Sequence, residues 1–129
     1  MAHSRQRRIL VVSGDPELRA QTRKVLGDLG FCTECTSDVT HALARVRQRR
    51  PAAVIVDACQ TQGRCGDLVA GCRAEATREQ LPILVVAATP CAAIDAIHAG
   101  AQGCVKPPLA PATLVPMLSQ ISQGSLGPI

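Results

Sequence analysis

Short aliphatic runs alternate with amphipathic stretches along most of the 129-residue chain. Residues 9–12, 52–56 and 83–88 are apolar at every position, which is typical of strands in a parallel sheet that helices cover on both faces. Residues 31–36 and 103–105 are two further short runs that we interpret as strands. The pattern therefore predicts five strands, each separated from the next by room for a helix.

Apolar residues at helical spacing fill the intervals between these strands. Asp15 and Pro16 predict the start of the first helix, because aspartate is a favoured N-cap and proline suits the first helical position. Gly30 predicts its end, and Ser37 or Asp38 predicts the cap of the second helix. Strands that alternate with helices predict a doubly wound α/β fold, whose working site lies at the carboxyl ends of the strands. The remaining helices are expected at about residues 66–76, 91–99 and 111–121.

The composition excludes several classes of function. Apolar residues make up 47% and charged residues 19%, as in a folded globular domain. Aromatic residues make up only 1%, with Phe31 alone, and nucleic-acid binding by base stacking needs aromatic platforms. No apolar run approaches the ~20 residues of a membrane span. We therefore expect this domain to bind neither nucleic acid nor membrane.

The cysteines indicate a reducing compartment. There are seven of them, an odd number, and no long apolar segment of a signal peptide follows the N-terminal arginines, so we expect a cytoplasmic protein. Cys32 and Cys35 have the spacing of half a zinc site, but residues three apart in a strand point to opposite faces. No second pair follows at zinc-site spacing, so we expect core packing here and no metal.

Positive charge is concentrated in the first part of the chain. Residues 1–50 carry 10 basic and 5 acidic groups, and residues 51–129 carry 4 and 5, which together give the net charge of +4. Such an excess favours an acidic partner or a phosphate backbone. The simpler interpretation is a solvated helix end, where the helix dipole favours cations; it applies to Arg45, Arg47, Arg49 and Arg50.

Four segments in order resemble the receiver domains of two-component response regulators, over residues 7–121. They are ILVVSGDPELR, VIVD, PILVVAA and AGAQGCVKP. The resemblance implies a flavodoxin-like, five-stranded parallel sheet of order 2-1-3-4-5 with five flanking helices. It also implies a bacterial signalling protein. Asp57 matches the aspartate that accepts a phosphoryl group from a histidine kinase, and Lys106 matches the lysine that contacts that group.

The sequence departs from the receiver pattern at the positions that carry its chemistry. Ser13 and Gly14 stand where receivers have two acidic residues that hold Mg²⁺, and Asp15 comes one residue later, in the N-cap position. Ala87 stands where a threonine or serine ends the fourth strand, and Cys104 matches the aromatic switch residue. We expect Asp15 to cap the helix and both switch positions to be degenerate.

These departures predict a degenerate receiver that works through protein partners, without normal Mg²⁺-dependent phosphorylation. We expect no cofactor, and Mg²⁺ only if the domain is phosphorylatable; its ligands would then come from Asp57, Asp15 and the backbone of Cys59. The alternative is a receiver that takes a phosphoryl group on Asp57 from a histidine kinase. The expected partners are such a kinase, an effector domain, or a second copy of the chain docked on the face at residues 92–121.

Other functions remain as weaker alternatives. We expect no enzyme, since Cys59 and Arg64 are separated by four residues where a cysteine phosphatase needs five, and the turn at Ser13 and Gly14 lacks a GxGxxG pattern. Phosphate-backbone binding by the arginine-rich half is the remaining alternative. We expect a disordered basic segment at 1–6, the receiver-like domain at 7–122, and a tail or linker at 123–129.

Overall fold

The computed structural model of the chain describes residues 8–58, 64–77, 80–101 and 103–106, and only the backbone of residues 90–93 and 96. Several features expected from the sequence lie outside the described residues: the fifth helix at 111–121, the segments at 1–6 and 123–129, and Cys59.

Five parallel strands form one sheet, as the sequence predicts. Their order across the sheet is β2-β1-β3-β4-β5, which confirms the doubly wound, flavodoxin-like arrangement. The central strands are buried at all their apolar positions, which explains why their sequences read as continuous aliphatic runs. The strands are β1 (Arg8–Val12), β2 (Cys32–Thr36), β3 (Ala53–Asp57), β4 (Ile83–Val86) and β5 (Gly103–Val105).

Four described helices connect the strands: α1 (Pro16–Asp28), α2 (Val39–Gln48), α3 (Cys65–Glu75) and α4 (Pro90–Ala99). The predicted caps of the first two are confirmed. The carboxylate of Asp15 accepts a hydrogen bond from the amide of Glu17, and that of Asp38 accepts one from the amide of Thr40. Gly30, just past α1, has a φ of +91°, which glycine adopts without strain.

The core consists of two apolar layers, one on each face of the sheet. On one face, the side chains of Leu10, Val54 and Ile83 pack in a cluster with residues of α2 and α3. On the other face, the alternate positions of the same strands pack with α1, and this cluster includes Phe31. The alternation of strand side chains thus divides one continuous sequence pattern between two layers.

One arginine, Arg73, contacts the backbone at the ends of three elements. The guanidinium of Arg73, near the end of α3, donates to the carbonyl oxygen of Leu81 at 2.8 Å and to that of Gly100 at 2.8 Å. It also donates to the carbonyl oxygens of Ala76 and Thr77, at 3.2 and 3.1 Å. One side chain therefore holds the end of α3, the approach to β4 and the turn from α4 to β5.

None of the helices in the described part of the chain has the length and apolar character that crossing a membrane requires.

Candidate functional site

The register of the sheet brings Ser13 beside Asp57. Val12 of β1 pairs with Val56 of β3, so the next residue of each strand continues the same row. The Ser13 hydroxyl donates a hydrogen bond of 2.8 Å to Oδ2 of Asp57. Both residues are buried, with relative exposures of 0% and 3%. The two residues that the sequence singles out on adjacent strands therefore meet at the carboxyl edge.

The backbone around Ser13 is held by three further contacts. Its amide donates to the carbonyl oxygen of Thr36 at 2.9 Å, and its hydroxyl accepts from the amide of Asp15 at 3.0 Å. The guanidinium of Arg19, one turn into α1, donates to the carbonyl oxygen of Ser13 at 2.7 Å. The hydroxyl thus acts as acceptor and donor at once, and its orientation toward Asp57 is fixed.

Asp15 is committed to the start of α1. Its Oδ1 accepts the amide of Glu17 at 3.0 Å, which satisfies one of the unpaired donors at the helix N-terminus. Gly14, which precedes it, is exposed and carries no side chain. Neither residue therefore adds a carboxylate to the Ser13–Asp57 pair.

The remaining site residues lie at the same edge of the sheet. Ala87 follows β4 and is buried, and its amide donates to the carbonyl oxygen of Val105 at 2.9 Å. Lys106 directly follows β5 and is exposed. Cys104, in β5, is half-buried and packs against the cluster of α2 and α3. The positions are those that the sequence predicts, and their roles in phosphoryl chemistry remain predictions.

Two thiols near this edge are held in the protonated form. Burial, with smaller contributions from the neighbouring Cys104 and Asp57, raises the pKa of Cys65, at the start of α3, to about 11. Burial also raises the pKa of Cys104. Since the thiolate is the nucleophile and the metal ligand, both groups are poor at either task near neutral pH.

The donor set at Asp57 is a poor fit for Mg²⁺, because the neighbour of this carboxylate on β1 is the neutral Ser13. Mg²⁺ prefers oxygen ligands and usually takes one or two carboxylates from the protein. Here Oδ2 of Asp57 accepts the Ser13 hydroxyl, and the Asp15 carboxylate accepts a backbone amide. Within the described ranges, no group of three or more His, Cys, Asp or Glu residues is arranged to hold a metal.

A surface pocket of about 370 Å³ lies between α4 and β5. Among the described residues it is lined by Ile94, Ile97, His98 and Cys104. Ile94 is 54% exposed and Ile97 is 38% exposed, so both apolar side chains are accessible beside the pocket. The pocket adjoins Cys104, whose match to the aromatic switch residue of receivers stays a prediction.

The sequence did not indicate the contacts of two arginines, Arg19 with Ser13 and Arg73 with Gly100. Each guanidinium reaches a backbone carbonyl through tertiary packing, and no local pattern marks such a partner. The Ser13–Asp57 contact is different in kind. Two adjacent parallel strands that end in polar residues would have suggested it once the strand order was known.

Comparisons with known proteins identify the fold. No protein-family model matches the sequence, and no curated protein matches it. Among solved structures, the chemotaxis response regulator CheY4 of Vibrio cholerae has a TM-score of 0.78 at 24% identity, over 88% of this chain and 97% of that one. A two-component response regulator from Clostridium difficile has a TM-score of 0.80 at 16% identity, over 90% and 95%.

NtrX from Brucella abortus has a TM-score of 0.78 at 23% identity, over 90% of this chain but only 26% of that one. The fold therefore occurs both as nearly a whole protein and as part of a longer one. The chain has the CheY-like fold of response-regulator receiver domains. At these identities the likeness establishes the fold and does not assign a role to any residue.

Replacing Asp15 with alanine tests its assignment as a cap. The loss of the bond to the Glu17 amide should lower the free energy of unfolding by about 1 kcal/mol, as for other N-cap aspartates. The measurement is urea denaturation, with Asp38→Ala at the cap of α2 as the matched variant. The two should be destabilised alike, and neither should change the response of the unfolding temperature to Mg²⁺. A Mg²⁺ response lost only in Asp15→Ala would contradict the cap assignment.

Proposed function

We propose that the chain is a degenerate receiver domain of a two-component signalling system, acting by protein–protein interaction without normal Mg²⁺-dependent phosphorylation. The observation that carries the proposal is the buried hydrogen bond from Ser13 to Asp57. In this bond a neutral donor meets the carboxylate that would accept the phosphoryl group, and the resemblance matches the position of that donor to an acidic residue of receivers.

Charge neutralisation is the chemical reason why this bond matters. Phosphoryl transfer to a carboxylate brings negative charges together, and a divalent ion normally offsets them. A serine hydroxyl at that position offers no charge with which to hold such an ion. Asp57, the retained carboxylate, then serves as the structural partner of Ser13 in the buried row of β1 and β3.

Two further positions support independence from phosphorylation. The methyl group of Ala87 has no hydroxyl that could bind a phosphoryl oxygen, and Cys104 has no ring that could move between two orientations. The resemblance implies that these two positions link the phosphoryl site to the surface in receivers. A phosphoryl group on Asp57 would therefore lack the usual route to a partner.

The proposed docking surface is the face at residues 92–121, of which α4 and β5 belong to the described part. Its exposed apolar residues Ile94 and Ile97, beside the pocket at Cys104, support this assignment. The proposed partners are a histidine kinase, an effector domain, or a second copy of this chain. We also propose that the domain spans residues 7–122 and acts in the cytoplasm, without catalysing a reaction.

The alternative is a phosphorylatable receiver. The observation in its favour is that Asp57 and Lys106 both stand at the carboxyl edge of the sheet, one at the end of β3 and the other directly after β5. Lys106 would then be the phosphoryl contact.

Restoring the two acidic positions tests the proposal. The double variant Ser13→Asp/Gly14→Asp places carboxylates beside Asp57, so like charges should destabilise it in a chelator. Mg²⁺ should relieve that repulsion, and at about a hundred times its Kd it would stabilise the variant by about 2.7 kcal/mol. Thermal unfolding with and without Mg²⁺ measures this gain. The wild type should show no such gain.

The neutral variant Ser13→Asn/Gly14→Asn is the matched control, because it adds similar volume without charge. It should not respond to Mg²⁺ either. If the wild-type protein is itself stabilised by Mg²⁺ and Asp57→Asn removes the effect, the site holds the ion as it stands and the proposal is wrong.

A further inference from the structure

Five arginines gather at the amino edge of the sheet, at the opposite end of the strands from Asp57. Arg8 begins β1, Arg45 and Arg47 lie in the last turn of α2, and Arg49 and Arg50 follow that helix. A five-residue strand spans about 17 Å, so this edge is a surface separate from the Ser13–Asp57 site. We call it the basic edge, defined by Arg8, Arg45, Arg47, Arg49 and Arg50.

Two carboxylates offset only part of this charge. Arg8 and Arg45 both form ion pairs with Glu34, and Arg47 Nε lies 3.2 Å from Glu75 Oε2. These pairs join three of the five guanidinium groups to two carboxylates. Among the described residues, the five positive charges of the basic edge are therefore offset by two negative ones, an excess of three. The excess is large for a chain whose net charge is +4.

Helix stabilisation accounts for some of these arginines but not for all. Cations in the last turn of a helix interact favourably with its dipole, and this explains Arg45 and Arg47. Arg49 and Arg50 lie beyond the last helical residue and are exposed. With respect to residues 8–58, 64–77, 80–101 and 103–106, neither forms a salt bridge. Arg50 donates to the carbonyl oxygen of Glu75 at 3.3 Å, and that oxygen carries no full charge.

We infer that the basic edge binds a carboxylate-rich segment of a partner protein. Guanidinium groups match carboxylates through paired hydrogen bonds, and Glu34, held between Arg8 and Arg45, shows this chemistry within the chain itself. The surplus of three charges on the described residues is smaller than the roughly 6–10 phosphate contacts of a strongly salt-dependent DNA-binding protein. The chain's one aromatic residue, Phe31, is buried and offers no stacking platform for bases.

Charge reversal at the two arginines beyond α2 tests the inference. The probe is a fluorescently labelled synthetic peptide of alternating glutamate and serine, titrated with the full chain at low ionic strength. The wild type should bind it, and added salt should weaken the binding because salt screens exposed charges. Arg49→Glu/Arg50→Glu should weaken the binding by about tenfold or more, since two attractions become repulsions. The neutral variant Arg49→Gln/Arg50→Gln should show an intermediate loss.

The matched control is Arg23→Glu/Lys24→Glu, which makes the same change in net charge on α1, across the sheet from α2. Both of its residues are exposed. The variants are compared in about 0.1 M salt, where the Debye length is about 10 Å. This variant should then bind the peptide within about twofold of the wild type, because α1 lies on the opposite face of the sheet from α2. Equal losses of peptide affinity in the two charge-reversed variants would show that the net charge of the chain, and not the basic edge, determines binding. That result would overturn the inference.

Two other results would also overturn it. One is the absence of peptide binding by the wild type at low ionic strength. The other is tighter binding of a duplex DNA of equal charge, which would assign the basic edge to nucleic acid. Neither result concerns Asp57, so the proposed function of the carboxyl edge is tested separately, by the Mg²⁺ experiment above. Unfolding temperatures of all three double variants near that of the wild type would show that the losses are local.

Discussion

Gly100→Ala should lower the free energy of unfolding by about 1–3 kcal/mol. Gly100 has a φ of +120°, where a residue with a side chain is strained. An added Cβ would also lie 2.8 Å from Cγ of Arg73 and 3.2 Å from its Nε. That arginine holds the carbonyl oxygens of both Leu81 and Gly100, so displacing it would loosen the connection between α3 and α4.

Gly27→Ala is the matched control for this change. Gly27 lies in α1, its φ is not in the positive region, and nothing lies within 4 Å of an added Cβ. Alanine should therefore stabilise the domain there, by about 0.5–1 kcal/mol. Urea denaturation of both variants makes the comparison. An unchanged midpoint for Gly100→Ala would show that neither the backbone conformation at Gly100 nor its contact with Arg73 affects the stability of the domain.

The two causes of the Gly100 effect are separable. Gly100→Ala/Arg73→Ala removes the steric contact but keeps the backbone strain. Arg73→Ala by itself should destabilise, because it leaves carbonyl oxygens without their donor. If the contact dominates, the double variant should be less destabilised than the sum of the single changes.

Ser13→Ala should lower the free energy of unfolding by about 1–3 kcal/mol, the second large effect that we expect. The serine hydroxyl donates to buried Asp57 and accepts the amide of Asp15, and alanine can do neither. Ser37→Ala, at an exposed serine between β2 and α2, is the matched control and should change stability by less than about 0.5 kcal/mol. Equal values for the two variants would mean that the Ser13–Asp57 bond contributes nothing.

A double-mutant cycle assigns this effect to the Ser13–Asp57 pair. Ser13→Ala, Asp57→Ala and the double variant should show a coupling energy of at least about 0.5 kcal/mol, as expected for groups in direct contact. Additive losses would place the effect of Ser13 in its bond with the Asp15 amide instead.

The strands and the caps of the first two helices could be predicted from the sequence, because the patterns that mark them are local. Continuous aliphatic runs predicted the buried strands, and the caps at Asp15 and Asp38 depend only on residues two positions away. The sheet order required the resemblance to receivers, since hydrophobic patterning does not determine which strands are neighbours.

The site was predictable in position but not in its bonds. That Ser13, Asp57 and Lys106 gather at one edge follows from parallel strands. That the Ser13 hydroxyl points at Asp57 depends on a side-chain orientation which the Asp15 amide helps to fix. The contacts of Arg73 and the ion pairs of Glu34 join residues far apart in the chain, and long arginine side chains have many possible partners.

Phosphorylation of the intact chain by a small-molecule phosphodonor tests the central claim most directly. The protein is incubated with Mg²⁺ and the donor, and its mass is compared with that of Asp57→Asn treated in the same way. With the Ser13 hydroxyl on Oδ2 of Asp57, and serine and glycine at positions 13 and 14, we expect no phosphoryl adduct that depends on Asp57. A Mg²⁺-dependent mass increase by one phosphoryl group, abolished in Asp57→Asn, would contradict the account and establish a phosphorylatable receiver.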